Sequence, residues 1–388
     1  MEAASVVVKL AELPGGSALL DAAERADRVW LVGGAVRDLL LGRTPNELDV
    51  VVEGPLEPLI DALGGATERF EQFGTATVDL AGARIDLAEA RSETYSQPGA
   101  LPDVQPASLG EDLQRRDFTI NAIAVSLTDC EVKAAAGSLA DLEAGLIRVL
   151  HDRSFSDDPT RVWRCARYAA RLGFAVDAKT AALAAAALPG SVSGERVGNE
   201  LPLALDEQSP TAAFTQLQAL NERVLVEGFD ADPDGLAAAL EMLGDAGDPQ
   251  MLTLAACCTG VDADLLRRWL DHLQFTADQR ETVLVASRWV TRAPLRAATK
   301  RSQIARAVAG APAEAIALGG GENARLWFDE LADVRLEISG DDLIAAGVEP
   351  GPQLGAALAY ALDLTLDGQC SGAEQQLAAA LEQALGSP

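Results

Sequence analysis

The sequence predicts a multidomain α+β protein, in which a domain of mixed strands and helices precedes an all-α remainder. The chain has 388 residues, which suits two or three domains of ordinary size. Short β-like runs lie before about residue 150, and long Ala/Leu stretches follow that point. Since 48% of the residues are hydrophobic but only 4% are aromatic, we expect cores of Leu, Ala and Val.

The N-terminal elements alternate between strand and helix or turn. Apolar runs of strand length predict five strands, at residues 29–32, 48–52, 76–80, 84–88 and 120–127. Helical runs between Gly, Pro and Asp turns predict the later helices, at residues 180–188, 234–243, 263–273, 352–364 and 372–385.

The formal net charge of −28 argues against a broad nucleic-acid-binding face, because phosphate binding relies on Lys and Arg. Arginines nevertheless concentrate at residues 153–171 and 288–301, which leaves room for local anion sites. A solvated helix face explains either cluster equally well when that cluster is considered alone.

Targeting signals and metal-binding cysteines are both missing from the sequence pattern. No apolar run approaches the roughly 20 residues needed to cross a bilayer, and the N-terminus lacks the pattern of a signal peptide. We therefore expect a cytoplasmic protein with no membrane partner. The five cysteines and two histidines show no zinc-like spacing, which predicts reduced, mostly buried thiols.

A glycine pair ends the first predicted strand. Gly33 and Gly34 lie where the strand gives way to a segment of helical spacing, and such a turn presents backbone N–H groups to an anion. Arg37 adds a cation one turn into the helix. Tight packing of the strand against the helix is the alternative explanation of the glycines.

Carboxylates occupy alternate positions of the next strand. Glu47 and Asp49 therefore point from one face, where their repulsion favours a divalent cation such as Mg²⁺, held together with substrate phosphates. An exposed acidic strand edge is the alternative. Asp86 supplies a third carboxylate that could line up beside Asp49. Two ions about 4 Å apart would suit nucleotidyl transfer, one for the attacking hydroxyl and one for the triphosphate.

Five ordered motifs carry a family resemblance. The segments GGAVRDLLLG with ELDVVVEG, RIDLAEARSETYSQPGALP, EDLQRRDFTINAIAV, DDPTRVWRCARYAARLGF, and SGERVGNEL with SGDDLIAAGVEPGPQLGAAL together resemble the class II tRNA nucleotidyltransferase and bacterial poly(A) polymerase family. The resemblance covers nearly the whole chain. It implies a DNA-polymerase-β-like nucleotidyltransferase head over residues 1–150, with a mixed sheet and helices. A helical neck that recognises the nucleotide base would follow over 151–205, and an all-α, tRNA-binding body and tail over 206–388.

The resemblance also implies an activity. Family members extend an RNA 3′ end without a nucleic-acid template, which predicts a Mg²⁺-dependent enzyme that adds C and/or A to the tRNA 3′ end. Its substrates would be CTP and ATP, its leaving group pyrophosphate, and DNA would not be a partner. We expect CCA addition or repair. The alternatives that remain open are A-only addition, CC-only addition, poly(A) synthesis and a catalytically weakened tRNA- or nucleotide-binding relative.

The resemblance assigns the first motifs to phosphate and metal. Gly34 and Arg37, next to Gly33, would bind the triphosphate, and three carboxylates would hold Mg²⁺ and carry catalysis: Glu47, Asp49 and Asp86.

In RRDFTINA, the resemblance assigns Arg116 to phosphate, Asp117 to the ribose 2′-hydroxyl, and Asn121 to the local turn of a nucleotide-binding segment. A surface salt-bridge cluster would explain this motif if it stood alone.

In DDPTRVWRCAR, Asp158 and Arg161 resemble the pair that reads the incoming base. An ionised aspartate only accepts hydrogen bonds and an arginine only donates them, so the pair matches the amino donor and ring acceptor of cytosine and adenine. Uracil and guanine present the reverse order. Arg164 and Arg167 follow on the same helix face and suit either phosphate binding or helix packing.

The sequence departs from the family pattern at three places. The first metal ligand is normally aspartate, whereas Glu47 moves the carboxylate by about one methylene. Residues 134–138 replace an Asp-Pro-x-Gly-Gly turn, which predicts weaker packing of head on neck. Residues 92–108 have no basic residue, although in relatives that complete the CCA end such a residue helps the switch from C to A.

Overall fold

The computed structural model describes residues 3–70, 74–95, 102–188, 194–291 and 293–386. The chain divides into two compact units, Met1–Leu225 and Val226–Pro388. The first unit contains a mixed sheet with helices, and the second unit is helical throughout its described residues. The predicted fold class is therefore confirmed.

Seven strands of the first unit form one mixed sheet in the order β3-β4-β5-β2-β1-β8-β9, and two further pairs are β6-β7 and β10-β11. The strand bounds are β1 (Val29–Val32), β2 (Leu48–Val52), β3 (Glu68–Phe70), β4 (Thr75–Leu80), β5 (Ala83–Glu89), β6 (Arg91–Thr94), β7 (Asp103–Pro106), β8 (Ile123–Ser126), β9 (Val132–Ala134), β10 (Leu146–Ile147) and β11 (Ala175–Val176). Most neighbours in the large sheet are antiparallel, but β2 and β5 run parallel.

Helices pack around this sheet and continue beyond it. The helices of the first unit are α1 (Ala3–Ala11), α2 (Gly16–Ala23), α3 (Gly33–Leu40), α4 (Glu57–Ala62), α5 (Leu109–Gln114), α6 (Ser138–Ala144), α7 (Ser154–Asp157), α8 (Arg161–Leu172), α9 (Ala178–Ala186), α10 (Gly194–Leu205) and α11 (Pro210–Asn221).

The second unit has short helices that begin at side-chain caps, such as Asp248, Asp262 and Thr276. Its helices are α12 (Leu236–Leu243), α13 (Pro249–Cys257), α14 (Ala263–His272), α15 (Ala277–Ala286), α16 (Ala293–Ala297), α17 (Arg301–Val308), α18 (Ala313–Gly319), α19 (Gly321–Leu326), α20 (Gly340–Ala345), α21 (Pro352–Leu366) and α22 (Gly372–Leu385).

The cores have the expected aliphatic composition. All four residues of β1 are buried, and Trp30 and Val51 pack with Leu109 and Ala124 on one side of the sheet. The second unit has separate Leu/Ala/Val clusters, one of which forms around α20 to α22. Burial of these side chains contributes roughly 25 cal/mol per Å² of apolar surface, which makes it the main stabilising term.

Local predictions agree closely with the structure where strands are buried. The predicted strands at 29–32 and 48–52 coincide with β1 and β2. The predicted strand at 120–127 begins only at residue 123, because residues 119–121 form a 3₁₀ turn. The short strand β11 was not predicted, since two residues that pair with a distant segment leave no periodic signal.

Polar contacts lie just after the turn at residues 134–138 and join α6 to neighbouring segments. Gly137 adopts φ +83°, and α6 begins immediately after it. The Asp141 carboxylate accepts hydrogen bonds from the Thr119 hydroxyl at 2.8 Å and from Arg148 Nε at 3.1 Å. Arg148 also donates to Asp177 at 2.8 Å, so one side chain ties the segment before α7 to the start of α9.

Two general features follow the sequence expectations. Among the described residues, no helix combines the length and apolar character required to cross a bilayer. The five cysteines are free thiols, four of them buried, while Cys130 is partly exposed.

The Asp141 contacts generate a stability prediction. Asp141→Ala leaves the buried Thr119 hydroxyl without its acceptor, so we expect the free energy of unfolding of the first unit to fall by about 2–3 kcal/mol. Urea denaturation followed by circular dichroism measures this change. Glu143→Ala, on the exposed face of the same helix, is the matched control. Equal stability of the two variants would show that the Asp141 contacts do not stabilise the turn.

Candidate active site

A cleft of about 1280 Å³ opens in the first unit. It brings together all thirteen residues that the sequence predicts for the site: Gly33, Gly34, Arg37, Glu47, Asp49, Asp86, Arg116, Asp117, Asn121, Asp158, Arg161, Arg164 and Arg167. These residues come from the sheet, the 3₁₀ turn, α3, α8 and the loops between them. Their individual roles in binding and catalysis stay predictions.

The glycine turn presents a helix N-terminus to the cleft. β1 ends at Val32, whose side chain cannot cap α3, and Gly33 follows with φ +67°. A Cβ on Gly33 would lie 2.7 Å from Arg116 Nη1, so only glycine fits both the backbone conformation and the space. The first N–H groups of α3 therefore lack a side-chain cap at the wall of the cleft, as an anion site requires.

The carboxylates lie side by side on the sheet. In the parallel register of β2 and β5, Asp49 pairs with Asp86, as the sequence analysis expected. Thr77 pairs with Asp86 from the other side and donates its hydroxyl to Asp86 Oδ1 at 2.7 Å. Glu47 lies one residue before β2 and is exposed.

The surroundings of Asp49 disfavour its charged form. Burial raises the pKa of Asp49 to about 6, and the charges of Glu47 and Asp86 act in the same direction. The positive charges of Arg116 and Arg164 oppose this rise but do not cancel it. Asp49 is therefore ionised less readily than an ordinary aspartate, in spite of the arginines near it.

This donor set fits a divalent cation in part. Carboxylate oxygens are the ligands that Mg²⁺ prefers, and a cation would relieve the repulsion that raises the pKa of Asp49. Within the part of the chain that the structure describes, however, no group of three or more His, Cys, Asp or Glu side chains is arranged to hold a metal ion. The predicted three-carboxylate set is thus not preassembled, because like charges repel and the exposed Glu47 is free to turn away.

Arg84 was not anticipated in this site. Its Nε lies 3.3 Å from Asp86 Oδ1, and 59% of its side chain is exposed. Alternation along β5 was the available signal, because residues 84 and 86 share a face of the strand. An exposed ion pair of this kind is weak, so the pairing is easily exchanged for another cation.

A network of buried hydrogen bonds begins at Arg37. Its guanidinium donates to both carboxylate oxygens of Asp38, at 2.8 and 2.9 Å, and to Asn121 Oδ1 at 2.7 Å. It also lies 5.0 Å from the centre of the Tyr168 ring. Arg37 is 2% exposed, so most of its donors serve the protein itself.

Asn121 extends this hydrogen-bond network to Asp117. The Asn121 amide donates to Asp117 Oδ1 at 3.0 Å, and Arg164 donates to Asp117 Oδ2 at 2.8 Å. Burial by itself would raise the pKa of Asp117, but the charge of Arg164 and the hydrogen bond from Asn121 hold that pKa below its ordinary value. Arg164 also donates to the Tyr168 hydroxyl at 2.9 Å.

Arg116 is anchored from behind. It donates to Asp112 Oδ2 through Nε at 3.2 Å and Nη2 at 3.0 Å, while Arg115 binds Oδ1 of the same fully buried carboxylate. Burial would raise the pKa of Asp112, yet the two arginines lower it. Arg116 is thereby held against Gly33, next to the N-terminus of α3.

The predicted base-reading residues have separate partners in this structure. Asp158 Oδ1 accepts hydrogen bonds from Thr160 and forms an ion pair with Arg196 at 2.8 Å. Arg161 donates to Ser154 Oγ at 2.8 Å and to the Arg115 carbonyl at 2.9 Å. Arg196 lies in the quoted segment SGERVGNEL, but nothing in the local pattern connects it to Asp158.

Arg167 has a packing environment. It is 7% exposed and donates to Glu200 at 2.9 Å and to Glu207 at 3.0 Å, which ties α8 to α10 and the residues after it. Of the two roles left open for Arg167, these contacts favour helix packing.

Several arginines of the second unit are also paired. Arg301 pairs with Glu330, and Arg306 pairs with Asp363 at 2.7 Å. Arg296 donates to the Gly319 carbonyl at 3.1 Å. Arg292, part of the same predicted cluster, lies outside the described residues, as do residues 96–101 of the segment without basic residues.

The cleft differs from the rest of the chain in charge. Among the described residues, ten arginines and nine Asp or Glu side chains line it, although the whole chain has 31 basic and 59 acidic residues. The acidity of the chain therefore lies largely elsewhere, and the cleft is suited to a polyanion.

Comparison with known proteins agrees with this geometry. Residues 29–148 match the family described as the poly A polymerase head domain. An A-adding tRNA nucleotidyltransferase from Halalkalibacterium halodurans is 39% identical over 218 residues, which cover 52% of this chain and 50% of that protein. A CC-adding tRNA nucleotidyltransferase from Deinococcus radiodurans is 33% identical over 355 residues, or 89% of this chain and 87% of that protein.

The likeness extends to three dimensions. A structure described as CCA-adding enzyme apo form II has a TM-score of 0.81 and 27% identity, with 98% of each chain covered. The chain spans only 34% to 50% of the length of the A-adding relatives that it matches.

The raised pKa of Asp49 generates a prediction about stability. Because the pKa in the folded state, about 6, exceeds the ordinary 3.8, folding favours the protonated carboxyl. The ionised group thus destabilises the protein above pH 6, and this cost disappears as the pH falls toward 3.8. Asp49→Asn removes the cost, so we expect its free energy of unfolding to exceed that of the unaltered protein by up to about 3 kcal/mol at pH 7.5 and to match it near pH 4.

Urea denaturation at both pH values, in the presence of a chelator, measures this difference. Asp79→Asn, an exposed carboxylate on β4, is the control. A pH-independent difference, or a less stable Asp49→Asn protein at pH 7.5, would contradict the electrostatic account of the carboxylate pair.

Proposed function

The chain belongs to the tRNA nucleotidyltransferase family, and from this premise we propose that it adds C and/or A to the 3′ end of tRNA from CTP and ATP. One observation carries the proposal: the paired Asp49 and Asp86 lie in the same cleft as the uncapped N-terminus of α3. A carboxylate pair beside an anion site is what transfer from a nucleoside triphosphate needs.

The reaction forms one P–O bond and breaks another. The RNA 3′ hydroxyl gives its proton to solvent as its oxygen bonds to the α-phosphorus of the nucleotide, the bond from that phosphorus to the bridging oxygen breaks, and pyrophosphate leaves. The N–H groups of Gly33 and Gly34 and the guanidinium of Arg116 orient the triphosphate, with Arg37 behind them. Mg²⁺ bound by Asp49 and Asp86, with Glu47 as a third ligand, would supply Lewis acidity to the attacking hydroxyl and the phosphates.

Selection of the base falls to Asp158 and Arg161. Arg196 and Thr160 both bind Oδ1 of Asp158, which holds the carboxylate in place. Asp158 therefore accepts from the exocyclic amine of C or A, while Arg161 donates to the adjacent ring acceptor. Uracil or guanine would leave these groups unpaired, at a cost of about 1–3 kcal/mol. Asp117 meets the ribose 2′-hydroxyl, and Arg164 the phosphate side.

Domains and location complete the proposal. Residues 1–150 act as the catalytic head, 151–205 as the neck and 206–388 as the tRNA-binding body and tail. Since several second-unit arginines already have acidic or carbonyl partners, tRNA binding relies on few phosphate contacts. The cytoplasm, where tRNA and nucleoside triphosphates meet, is the proposed location.

Three tRNA transcripts test the proposal: one lacks the whole CCA end, one lacks CA and one lacks only the final A. Each is incubated with labelled CTP or ATP separately, with and without a chelator. CCA addition predicts CTP incorporation on the first two transcripts in the presence of Mg²⁺ and ATP incorporation on the third. Incorporation of ATP on the third transcript, without CTP incorporation on the other two, would assign A-addition. Incorporation of CTP on the first two transcripts, without ATP incorporation on the third, would assign CC-addition.

A protein that binds these transcripts but extends none of them would contradict the enzymatic proposal. That result would favour a catalytically weakened relative that binds tRNA or nucleotide. Glu47→Asp would then be the first substitution to test for restored activity. Long A tracts on any RNA would instead assign poly(A) synthesis.

Asp158 generates the prediction about specificity. In Asp158→Ala, the group that penalises a carbonyl at the base edge is absent, so we expect UTP and GTP to be used at rates closer to CTP and ATP. The lost discrimination should be worth about 1–3 kcal/mol in kcat/KM ratios. The control is Asp152→Ala. Asp152 is exposed and pairs with Lys179, so its loss should leave discrimination between the nucleotides intact.

Kinetics with each of the four nucleotides supply the measurement. If Asp158→Ala loses affinity for all four nucleotides equally and retains full preference for C and A, then Asp158 is structural and another group reads the base.

A further inference from the structure

An aromatic ring stands exposed in a cleft that is otherwise strongly charged. Phe70, at the end of edge strand β3, is 50% exposed and lines the cleft. Among the described residues, the other large exposed apolar side chain in the cleft is Leu203, which lies on α10 and not on the sheet. A half-exposed phenylalanine inside a cleft keeps part of its ring face open, and that face offers a stacking surface to a ligand.

Sheet register places Phe70 on the same face as the carboxylates. Thr77 pairs with Asp86, and Asp86 pairs with Asp49, which forms one row across the sheet. Phe70 pairs with Thr75, and Thr75 pairs with Ala88, which forms the next row. Paired residues point to the same side of a sheet and residues two apart share a face, so both rows face the cleft.

The separation between Phe70 and Asp86 follows from strand geometry. Two strand spacings of about 4.8 Å and one step of two residues, about 7 Å, give a distance of about 12 Å across the sheet surface. One nucleotide, measured from its 3′ oxygen across its base, together with a stacked ring, is long enough to bridge this gap.

The direction of the reaction identifies which substrate lies there. The attacking hydroxyl and the leaving pyrophosphate lie roughly in line on opposite sides of the α-phosphorus. The triphosphate side is set by the glycine turn after β1 and by Arg116. The RNA end must therefore approach from the other side of the carboxylates, over β5, β4 and β3, where Phe70 stands.

We propose that the Phe70 ring is a stacking platform for the 3′-terminal nucleobase of the RNA that is being extended. This inference deepens the proposed function and rests on it. Stacking tolerates any base because every base has a π face, which suits an enzyme whose RNA end changes after each addition. Phe70 thus acts in RNA binding, separately from the residues that hold the incoming nucleotide.

The test compares Phe70→Ala with the unaltered protein on two versions of the tRNA transcript that the unaltered protein extends best. One version is complete, and the other has an abasic ribose with a free 3′ hydroxyl as its last nucleotide. We expect Phe70→Ala to raise KM for the complete RNA roughly 10-fold or more, and to leave KM for the nucleotide unchanged. On the abasic RNA, both proteins should show the same KM, because no base is present to stack.

Two further variants separate stacking from folding. Phe70→Trp retains an aromatic face and should restore KM for the complete RNA. Val132→Ala, on the exposed edge strand β9 at the opposite end of the same sheet, should leave every constant unchanged. Circular dichroism melting confirms that each variant is folded.

The outcomes distinguish this inference from the function on which it rests. If the unaltered protein extends RNA normally and Phe70→Ala has the same KM, or raises KM equally on complete and abasic RNA, the stacking role is wrong and the proposed function stands. If the unaltered protein extends no RNA, both fail together.

Discussion

Repulsion between two carboxylates held in register is the constraint around which the first unit is organised. Asp49 and Asp86 cannot separate, because the parallel pairing of β2 and β5 fixes them side by side. Positive charge in the cleft opposes this repulsion. Arg84 pairs with Asp86, and the charges of Arg116 and Arg164 lower the pKa of Asp49. Burial and the neighbouring carboxylates nevertheless keep the pKa of Asp49 raised, as is common for groups at functional sites.

The arginines are held rigidly because acids and amides bind them from behind. Asn121 and Asp117 link Arg37 to Arg164, and the Tyr168 ring lies near both guanidinium groups. Because this network joins α3 to α8 through largely buried polar groups, it stabilises one arrangement of their junction. Preorganised charge of this kind stabilises a developing phosphate charge better than mobile side chains do.

Sequence reasoning succeeded where local pattern determines structure. The glycine turn and the buried strands β1 and β2 each depend on residues close together in the chain, and each was predicted at its correct position. The alternate carboxylates were predicted correctly only in part, because Glu47 lies one residue before β2. The fold class and the membership of the cleft also followed, the latter from ordered family motifs.

Most of what the sequence did not predict depends on contacts between distant residues. Arg196 reaches Asp158 across 38 positions, Arg164 reaches Asp117 across 47, and neither pairing has a local signature. The exposure of Phe70 depends on its strand lying at the edge of the sheet. In these cases the register of the sheet or the packing of helices selects the partner or the exposure. Arg84 is the exception, because it lies only two residues from Asp86 on the same face of β5.

Nucleotide incorporation by Asp49→Asn tests the central claim most directly. The change removes one charge and almost no volume, and it leaves the glycine turn and the arginine network in place. Single-turnover incorporation into a tRNA transcript, compared with Asp79→Asn, should fall by at least about 100-fold in Asp49→Asn while the protein remains folded. Undiminished incorporation by a folded Asp49→Asn protein would show that the carboxylate pair is not the catalytic centre.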